Sequence, residues 1–200
     1  MIGLQTSVAN SSELIVSYNI FAGLTNDDTM SHEQARLKIL STFKDLKEKG
    51  WQRVIELSSP RLTGKDAMEY AKKHTYELDP DYIYDFDNWM QLENGSRWLF
   101  QADGIYLTFQ VYRELSKEDP QKIGGYAVRY SFESEKQYYA PYFRDEDLNK
   151  WEMNAARWVE LYPGIKKEMN RIRFKEEAQL KAQGMKIDES YQDPPLVSKK

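Results

Sequence analysis

The first part of the chain alternates between short β-branched and aromatic runs and longer stretches with apolar residues at every third or fourth position. The run from Leu14 to Phe21 ends at Gly23 and predicts a strand. Ser31 and Gln34 have the spacing of a capping box, and Gly50 is a typical helix end. The apolar positions between them share one helical stripe: Ala35, Ile39, Leu40, Phe43 and Leu46. These features predict a helix from the capping serine to the glycine.

A second strand and a second helix follow. The run from Trp51 to Leu57 predicts a strand that is closed by Ser58-Ser59-Pro60. Thr63-Gly64-Lys65-Asp66 then opens a helix that extends to about His74. The N-terminal part is therefore predicted to be a β-α-β-α unit, a pattern that packs helices on a face of a sheet.

The middle of the chain predicts an antiparallel meander. Tyr84 to Glu93, Arg97 to Ala102 and Ile105 to Glu114 are apolar runs separated by Asn94-Gly95 and Asp103-Gly104, which suit two-residue hairpin turns. Pairing outward from the second turn predicts three opposite pairs: Ala102 with Ile105, Phe100 with Leu107, and Trp98 with Phe109. A fourth strand, from Tyr126 to Glu133, alternates Tyr126, Val128, Tyr130 and Phe132 on one face.

The remainder predicts helices that pack on one face of this sheet. A helix that follows Asp145-Glu146-Asp147 is interrupted at Pro163-Gly164, and a charged last helix begins at about Ile165. The chain is thus expected to have an α+β fold organised as a flexible lead-in (1–12), a single domain (13–163), a charged C-terminal helix (164–184) and a flexible tail (185–200).

Charge and composition exclude several classes of function. The 200 residues contain 28 Lys and Arg against 32 Asp and Glu, a net charge of −4, which argues against a nucleic-acid binder. Because cysteine is absent, disulfides, thiol nucleophiles and cysteine-ligated metals are excluded. Neither a dinucleotide-binding nor a P-loop glycine motif occurs, so we expect no cofactor. No apolar run is long enough to predict a membrane span.

The N-terminal residues contain no signal peptide. Met1 to Ser12 lacks both a positive charge and an apolar core segment. The chain is therefore either cytoplasmic or the mature form of an exported protein, and its polar lead-in favours the periplasmic alternative.

Residues 77–93 combine carboxylates with aromatic side chains and contain no lysine or arginine. Asp79 and Asp81 begin like a calcium loop, but Ile83 stands where the next ligand belongs, so no metal is predicted. Aromatic side chains supply rigid contact area, and fixed carboxylates steer a positively charged protein. We therefore predict that this segment docks a basic protein partner through Asp79, Asp81, Tyr82, Tyr84, Asp85 and Asp87.

Three other hypotheses remain open. A carboxylate-based hydrolase would use a pair among Asp79, Asp85, Asp87 and Asp103. A saccharide- or peptide-binding envelope protein would use the aromatic stretch from Tyr138 to Phe143. The charged C-terminal helix would serve self-association.

In general character the chain resembles small bacterial immunity proteins, which neutralise a cognate toxin by binding it. The features that carry this resemblance are the capped helix from Ser31 to Gly50, the turns at Asn94-Gly95 and Asp103-Gly104, and the acidic-aromatic run from Asp79 to Trp89. The resemblance implies a non-enzymatic domain that inhibits a secreted toxin or effector, and it assigns no individual residue.

Overall fold

The computed structural model describes residues 3–7, 17–27, 29–143 and 148–197, with backbone alone for 3–7 and 148–155. Its strands are β1 Gly3–Ser7, β2 Ser17–Gly23, β3 Met30–Ser31, β4 Gln52–Arg53, β5 Arg97–Ala102, β6 Ile105–Arg113, β7 Ile123–Gly124 and β8 Tyr126–Ser134. Its α-helices are α1 His32–Glu48, α2 Gly64–Ala71, α3 Phe86–Met90, α4 Glu135–Tyr139 and α5 Leu148–Ala182. Two 3₁₀ turns cover Leu115–Lys117 and Ala140–Phe143.

The α+β class is confirmed. Six strands form one antiparallel sheet in the order β1-β2-β8-β6-β5-β4, and β3 pairs with β7 separately. The β5–β6 hairpin has the predicted register, with Ala102 opposite Ile105 and Trp98 opposite Phe109. Its turn has positive φ at both Asp103 (47°) and Gly104 (78°), as a type I′ turn requires.

The predicted strand from Tyr84 to Glu93 is wrong, because this segment contains the short helix α3. Asp85 accepts a hydrogen bond from the Asn88 backbone amide at 2.8 Å and caps the helix. Tyr84 and Trp89 are buried, and Asn94-Gly95 joins a helix to β5 rather than two strands. Three of the four predicted meander strands, β5, β6 and β8, are therefore present and adjacent.

The predicted strand from Trp51 to Leu57 is shorter than expected. Only β4 pairs with β5 as a strand, although the Val54 amide still donates to Leu99 at 2.9 Å. After Val54, tyrosine hydroxyls accept hydrogen bonds from backbone amides that would otherwise donate to a neighbouring strand. The Ile55 amide donates to Tyr191 at 2.8 Å, and the Leu57 amide donates to Tyr142 at 3.3 Å. Side chains distant in sequence thus end the strand early.

Helices cover both faces of the sheet. Ile39 and Phe43 of α1 pack with Trp98 and Phe100 of β5 in the largest core cluster. Alternate residues of a strand point to opposite faces, so Leu99 belongs to a second cluster, which contains these residues of α4, the following 3₁₀ turn and α5: Tyr139, Phe143, Trp158 and Tyr162. The C-terminal helices therefore share one face, as predicted, while α1 occupies the other.

The predicted interruption at Pro163-Gly164 lies elsewhere. Pro163 is inside α5, and the backbone departs from helical geometry at Arg157, with φ −119° and ψ 17°. A proline ring clashes with the carbonyl four residues before it, which here belongs to Val159. Arg157 precedes that position by two residues, so the proline does not account for the irregularity there.

Residues 185–197, expected to be a flexible tail, pack against the domain, and we call this segment the C-terminal strap. Ile187 forms a bridge with Leu62, and the buried Leu196 joins the second core cluster. Asp193 forms ion pairs of 3.0 Å with both Lys166 and Arg173 of α5. At the other end of the chain, residues 3–7 of the expected lead-in form β1.

Candidate functional site

The acidic-aromatic segment contains a loop, residues 79–87, whose first residue, Asp79, fixes it through a buried side chain. This carboxylate is only 6% exposed. One of its oxygens accepts a hydrogen bond from the Gly64 amide at 2.8 Å, and the other accepts from the Asp81 amide at 3.0 Å. Arg53 supplies a compensating charge at 3.6 Å. Asp79 therefore ties the start of the loop to α2 and β4.

Tyr84 fixes the other end of the loop. Its ring is fully buried, and its hydroxyl donates to the Asp79 carbonyl at 3.2 Å. The Tyr84 carbonyl accepts from the Arg36 guanidinium at 2.7 Å. Burial raises the pKa of the Tyr84 hydroxyl well above its usual value, which keeps it protonated as a donor.

The middle of the loop points outward. Ile83 is 77% exposed, the largest exposed fraction among the large apolar side chains that the structure describes. Tyr82 is half-buried, with its ring packed edge-to-face on Tyr84 at 4.8 Å between centroids. Asp81 and Asp87 are exposed, so the apolar tip is flanked by carboxylates.

The charges of the loop are only partly compensated. Asp81 forms an ion pair with Lys47 of α1 at 2.5 Å, and both side chains are exposed. Asp85 accepts from the amide and side chain of Asn88 at 2.8 and 2.9 Å. Within the described parts of the chain, no ion pair joins Asp85 or Asp87 to a basic side chain. The exposed face of the loop is consequently acidic.

The six residues predicted to dock a partner therefore separate into two groups. Asp81, Asp85 and Asp87 are exposed and Tyr82 is half-buried, whereas Asp79 and Tyr84 are buried supports of the loop. The sequence prediction missed Ile83. Its signal was present, because it is the one aliphatic residue between Asp81 and Asp87.

A buried charge cluster lies close to the loop in sequence. Glu77 is 1% exposed, and the Arg97 guanidinium bonds to both Glu77 and Glu56, the latter at 3.0 Å. Burial, followed by the charge of Glu56, raises the pKa of Glu77 to about 7 despite the opposing effect of Arg97. The sequence prediction did not single out this cluster, because nothing in the local pattern brings Glu56 and Glu77 together.

Three of the four carboxylates considered for a hydrolase have structural roles. Asp79 and Asp85 accept hydrogen bonds from backbone amides, and Asp103 occupies the β5–β6 turn. In the described residues, no group of three or more histidine or carboxylate side chains is placed to hold a metal ion.

The second aromatic stretch packs inward instead of lining an open groove. Tyr138 stacks on Tyr106 with ring centroids 3.8 Å apart, and Tyr139 and Phe143 are buried in the second core cluster. The Tyr106 and Tyr139 hydroxyls are 2.9 Å apart, within hydrogen-bonding distance. These aromatic side chains therefore cover a face of the sheet.

No known family model, no curated protein and no solved structure matches this chain. Among the described residues, no helix is both long enough and apolar enough to span a membrane.

Proposed function

We propose that this chain is a protein-binding domain that docks a basic partner through the 79–87 loop. At its most specific, the proposal is that the partner is a secreted bacterial toxin or effector, which this chain neutralises by binding to it. The observation that carries the proposal is Ile83, which stands 77% exposed on a loop whose two ends are fixed by buried groups.

Rigid presentation of an apolar side chain favours protein recognition. Interfaces derive most of their binding energy from a few residues that become buried at their centre, most often Trp, Tyr and Arg, and have a polar rim. The half-buried Tyr82 beside Ile83 is a residue of this kind. Asp79 and Tyr84 restrict the loop before any partner arrives, so little conformational entropy would be lost on binding. A partner with an apolar pocket inside a basic rim would complement this surface.

The carboxylates would act mainly on the association rate. Exposed charges attract an oppositely charged protein over a distance and are screened by salt. We expect Asp81→Lys/Asp87→Lys to slow association about tenfold at low salt and to weaken its salt dependence. Asp85 is left unchanged because it caps α3. The measurement is surface plasmon resonance against a partner isolated from the native organism by affinity capture and salt elution.

Two variants make this experiment specific. Asp27→Lys/Glu118→Lys alters the net charge equally at exposed positions outside the loop, so its association rate should stay closer to that of the parent. Ile83→Ala should accelerate dissociation on the order of tenfold, because it removes the central apolar contact. Equal rates for the parent and both loop variants would exclude this surface as the interface.

A further inference from the structure

A groove lies between the middle of α5 and the C-terminal strap. Its volume is about 910 Å³. The apolar part of its lining consists of Tyr162, Pro163, Phe174, Pro194, Pro195 and Leu196. Phe174 is 53% exposed, so the groove presents apolar surface to solvent. None of the residues that line it belongs to the 79–87 loop, and one molecule therefore carries the loop and the groove as two separate surfaces.

The α5 side of this groove is basic. Lys167, Arg171 and Lys175 are exposed and follow one another at intervals of four residues, so their side chains share one face of the helix. Phe174 lies next to the last of them on the same part of α5. The exposed apolar ring is therefore bordered by cationic side chains.

Only part of this positive charge is matched within the chain. Lys166 forms an ion pair with Asp193 at 3.0 Å, and Arg171 forms one with Glu168 at 2.7 Å. Glu168 is the one carboxylate in the groove lining. Lys167 and the lysine at position 175 have no ion-pair partner among the residues that the structure describes. The unmatched charge at the groove is consequently positive.

The 79–87 loop has the opposite arrangement. Ile83 projects from it with 77% of its surface exposed, and Asp81 and Asp87 lie on either side of this apolar tip. The groove is a concave apolar surface with a basic border, and the loop is a convex apolar surface with an acidic border. An apolar pocket inside a basic rim, the complement expected of a partner of this loop, is thus present on the chain itself.

A second copy of the chain is an occupant that is always available to this groove. The net charge of −4 makes two copies repel each other at long range. At physiological salt, charges further apart than about 8 Å are largely screened, so the charges at the contact itself dominate. The lysines of the groove and the carboxylates of the loop would then attract each other while Ile83 and Phe174 lose contact with water.

We propose that the chain self-associates head to tail, with the 79–87 loop of one copy docked in the α5–strap groove of the next. The two contacting surfaces are different, so each added copy leaves one loop and one groove free for further copies. The inference goes beyond the proposed function and does not depend on it, because the occupant of the groove is this chain and not the basic partner.

Sedimentation velocity on the full chain tests the inference. The weight-average sedimentation coefficient of the parent should rise between about 10 μM and about 500 μM protein, as expected for a small interface of low affinity. Raising the salt concentration from about 0.05 M to about 0.5 M should weaken the association, because it shortens the range of the charge attraction. A parent chain that stays monomeric over this concentration range would overturn the inference.

Two variants locate the contact. Asp81→Lys/Asp87→Lys reverses the loop, and Lys167→Glu/Lys175→Glu reverses the groove without altering its two ion pairs. We expect self-association at least about tenfold weaker than that of the parent for each variant alone. Lys38→Glu/Lys73→Glu makes the same change in net charge as the groove variant at exposed positions elsewhere and should retain more of the parent association. Loop and groove variants that associate as the parent does would contradict the proposed contact.

An equimolar mixture of the loop and groove variants provides the sharpest test. Each reversed surface then meets its opposite on the other variant, and each unchanged surface does the same, so association should return in the mixture. The net charges are −4 + 4 = 0 for the loop variant and −4 − 4 = −8 for the groove variant, so no net attraction between the two explains such a recovery. A mixture that sediments as monomers would overturn the inference.

The outcomes separate this inference from the proposed function. If the parent is monomeric while Asp81→Lys/Asp87→Lys slows association of the natural partner, the self-association is wrong and the proposed function stands. If mixing restores self-association while the loop variants leave association of the natural partner unchanged, the inference stands and the proposed function fails.

Discussion

At the scale of single residues, the buried carboxylates of this protein differ in the groups that compensate their charge. Glu77 is buried beside Glu56, and both share the Arg97 guanidinium. Asp79 is buried on two backbone amides with Arg53 nearby. Glu77 and Asp79 lie close together in the sequence and have different roles. Glu77 adjoins a second carboxylate, Glu56, whereas Asp79 serves as a hydrogen-bond acceptor for backbone amides.

The shifted pKa of Glu77 makes stability depend on pH. Its pKa is about 7 in the folded chain against an ordinary value of 4.5, so between these values the folded state binds more protons than the unfolded state. The contribution of Glu77 to the free energy of unfolding therefore decreases as pH rises from about 4.5 to about 7. Urea unfolding measured across this pH window should show a smaller decrease in the free energy of unfolding for Glu77→Gln than for the parent. The exposed control Glu118→Gln should show the same dependence of the free energy of unfolding on pH as the parent. An equal pH dependence for all three proteins would contradict the role of Glu77.

Loss of the Asp79 carboxylate should destabilise the loop and the domain together. Asp79→Ala leaves the Gly64 and Asp81 amides without their acceptor and Arg53 without its nearby charge. We expect a decrease of about 3 kcal/mol in the free energy of unfolding, measured with urea. Asp87→Ala, an exposed change in the same loop, should remain within about 0.5 kcal/mol of the parent. A similar small effect at Asp79 would show that the loop is fixed by other contacts.

At the scale of elements, local side-chain bonds determine where helices begin. Ser31 and Gln34 form the reciprocal bonds of a capping box, with both backbone donor distances at 3.1 Å. Asp85 caps α3 by accepting a hydrogen bond from the Asn88 amide, without the reciprocal bond of a capping box. Helix α2 has no cap from its own Thr63, and the first amide of that helix donates to Asp79 instead. The 79–87 loop thus supports an element that precedes it in the chain.

The capping box gives a direct prediction for α1. Ser31→Ala removes the acceptor for the Gln34 amide and should lower the free energy of unfolding by about 1 kcal/mol. Ser41→Ala, at an exposed position within the same helix, should be neutral or slightly stabilising because alanine has the higher helix propensity. Chemical denaturation of both variants measures the difference, and equal stabilities would argue against the cap.

At the scale of the whole molecule, the C-terminal strap joins α5 to the rest of the domain. Arg173 is 3% exposed and donates to the Ser59 and Glu56 carbonyls at 2.9 and 2.8 Å. Asp193 of the strap supplies its matching charge at 3.0 Å. Glu177 forms a two-bond ion pair with Arg61 at 2.8 Å for both bonds. Most of the charged side chains described on α5 therefore form ion pairs or hydrogen bonds within the chain.

Removal of the strap should destabilise the whole fold. A chain truncated after Gly184 loses Ile187 and Leu196 from the core clusters and leaves Arg173 without a carboxylate partner. Asp193→Ala isolates the charge effect, and we expect about 3 kcal/mol of destabilisation from it. Gln192→Ala, a change at an exposed position of the strap, is the control and should keep the parent stability in thermal and urea unfolding. Unchanged stability after truncation at Gly184 would instead indicate that the strap contributes little.

The sequence by itself determined the features that depend on nearby residues. The capping box of α1 and the Asp103-Gly104 turn with its register are local, because hydrogen bonds and backbone angles within a few positions fix them. The strand from Tyr126 was predicted from its apolar alternation, although its hydrogen-bond partners in β2 and β6 are distant in the sequence. The sequence also identified the acidic-aromatic segment, although it did not separate buried members from exposed ones.

Only the tertiary structure decided how distant residues share hydrogen bonds and charge. Tyr142 and Tyr191 end the strand after β4, Asp79 caps a helix fifteen residues earlier in the chain, and Asp193 matches Arg173. The same long-range contacts leave Ile83 exposed while they bury Tyr84. Local periodicity contains no information about such contacts, because each one arises only when the sheet and helices bring separate parts of the chain together.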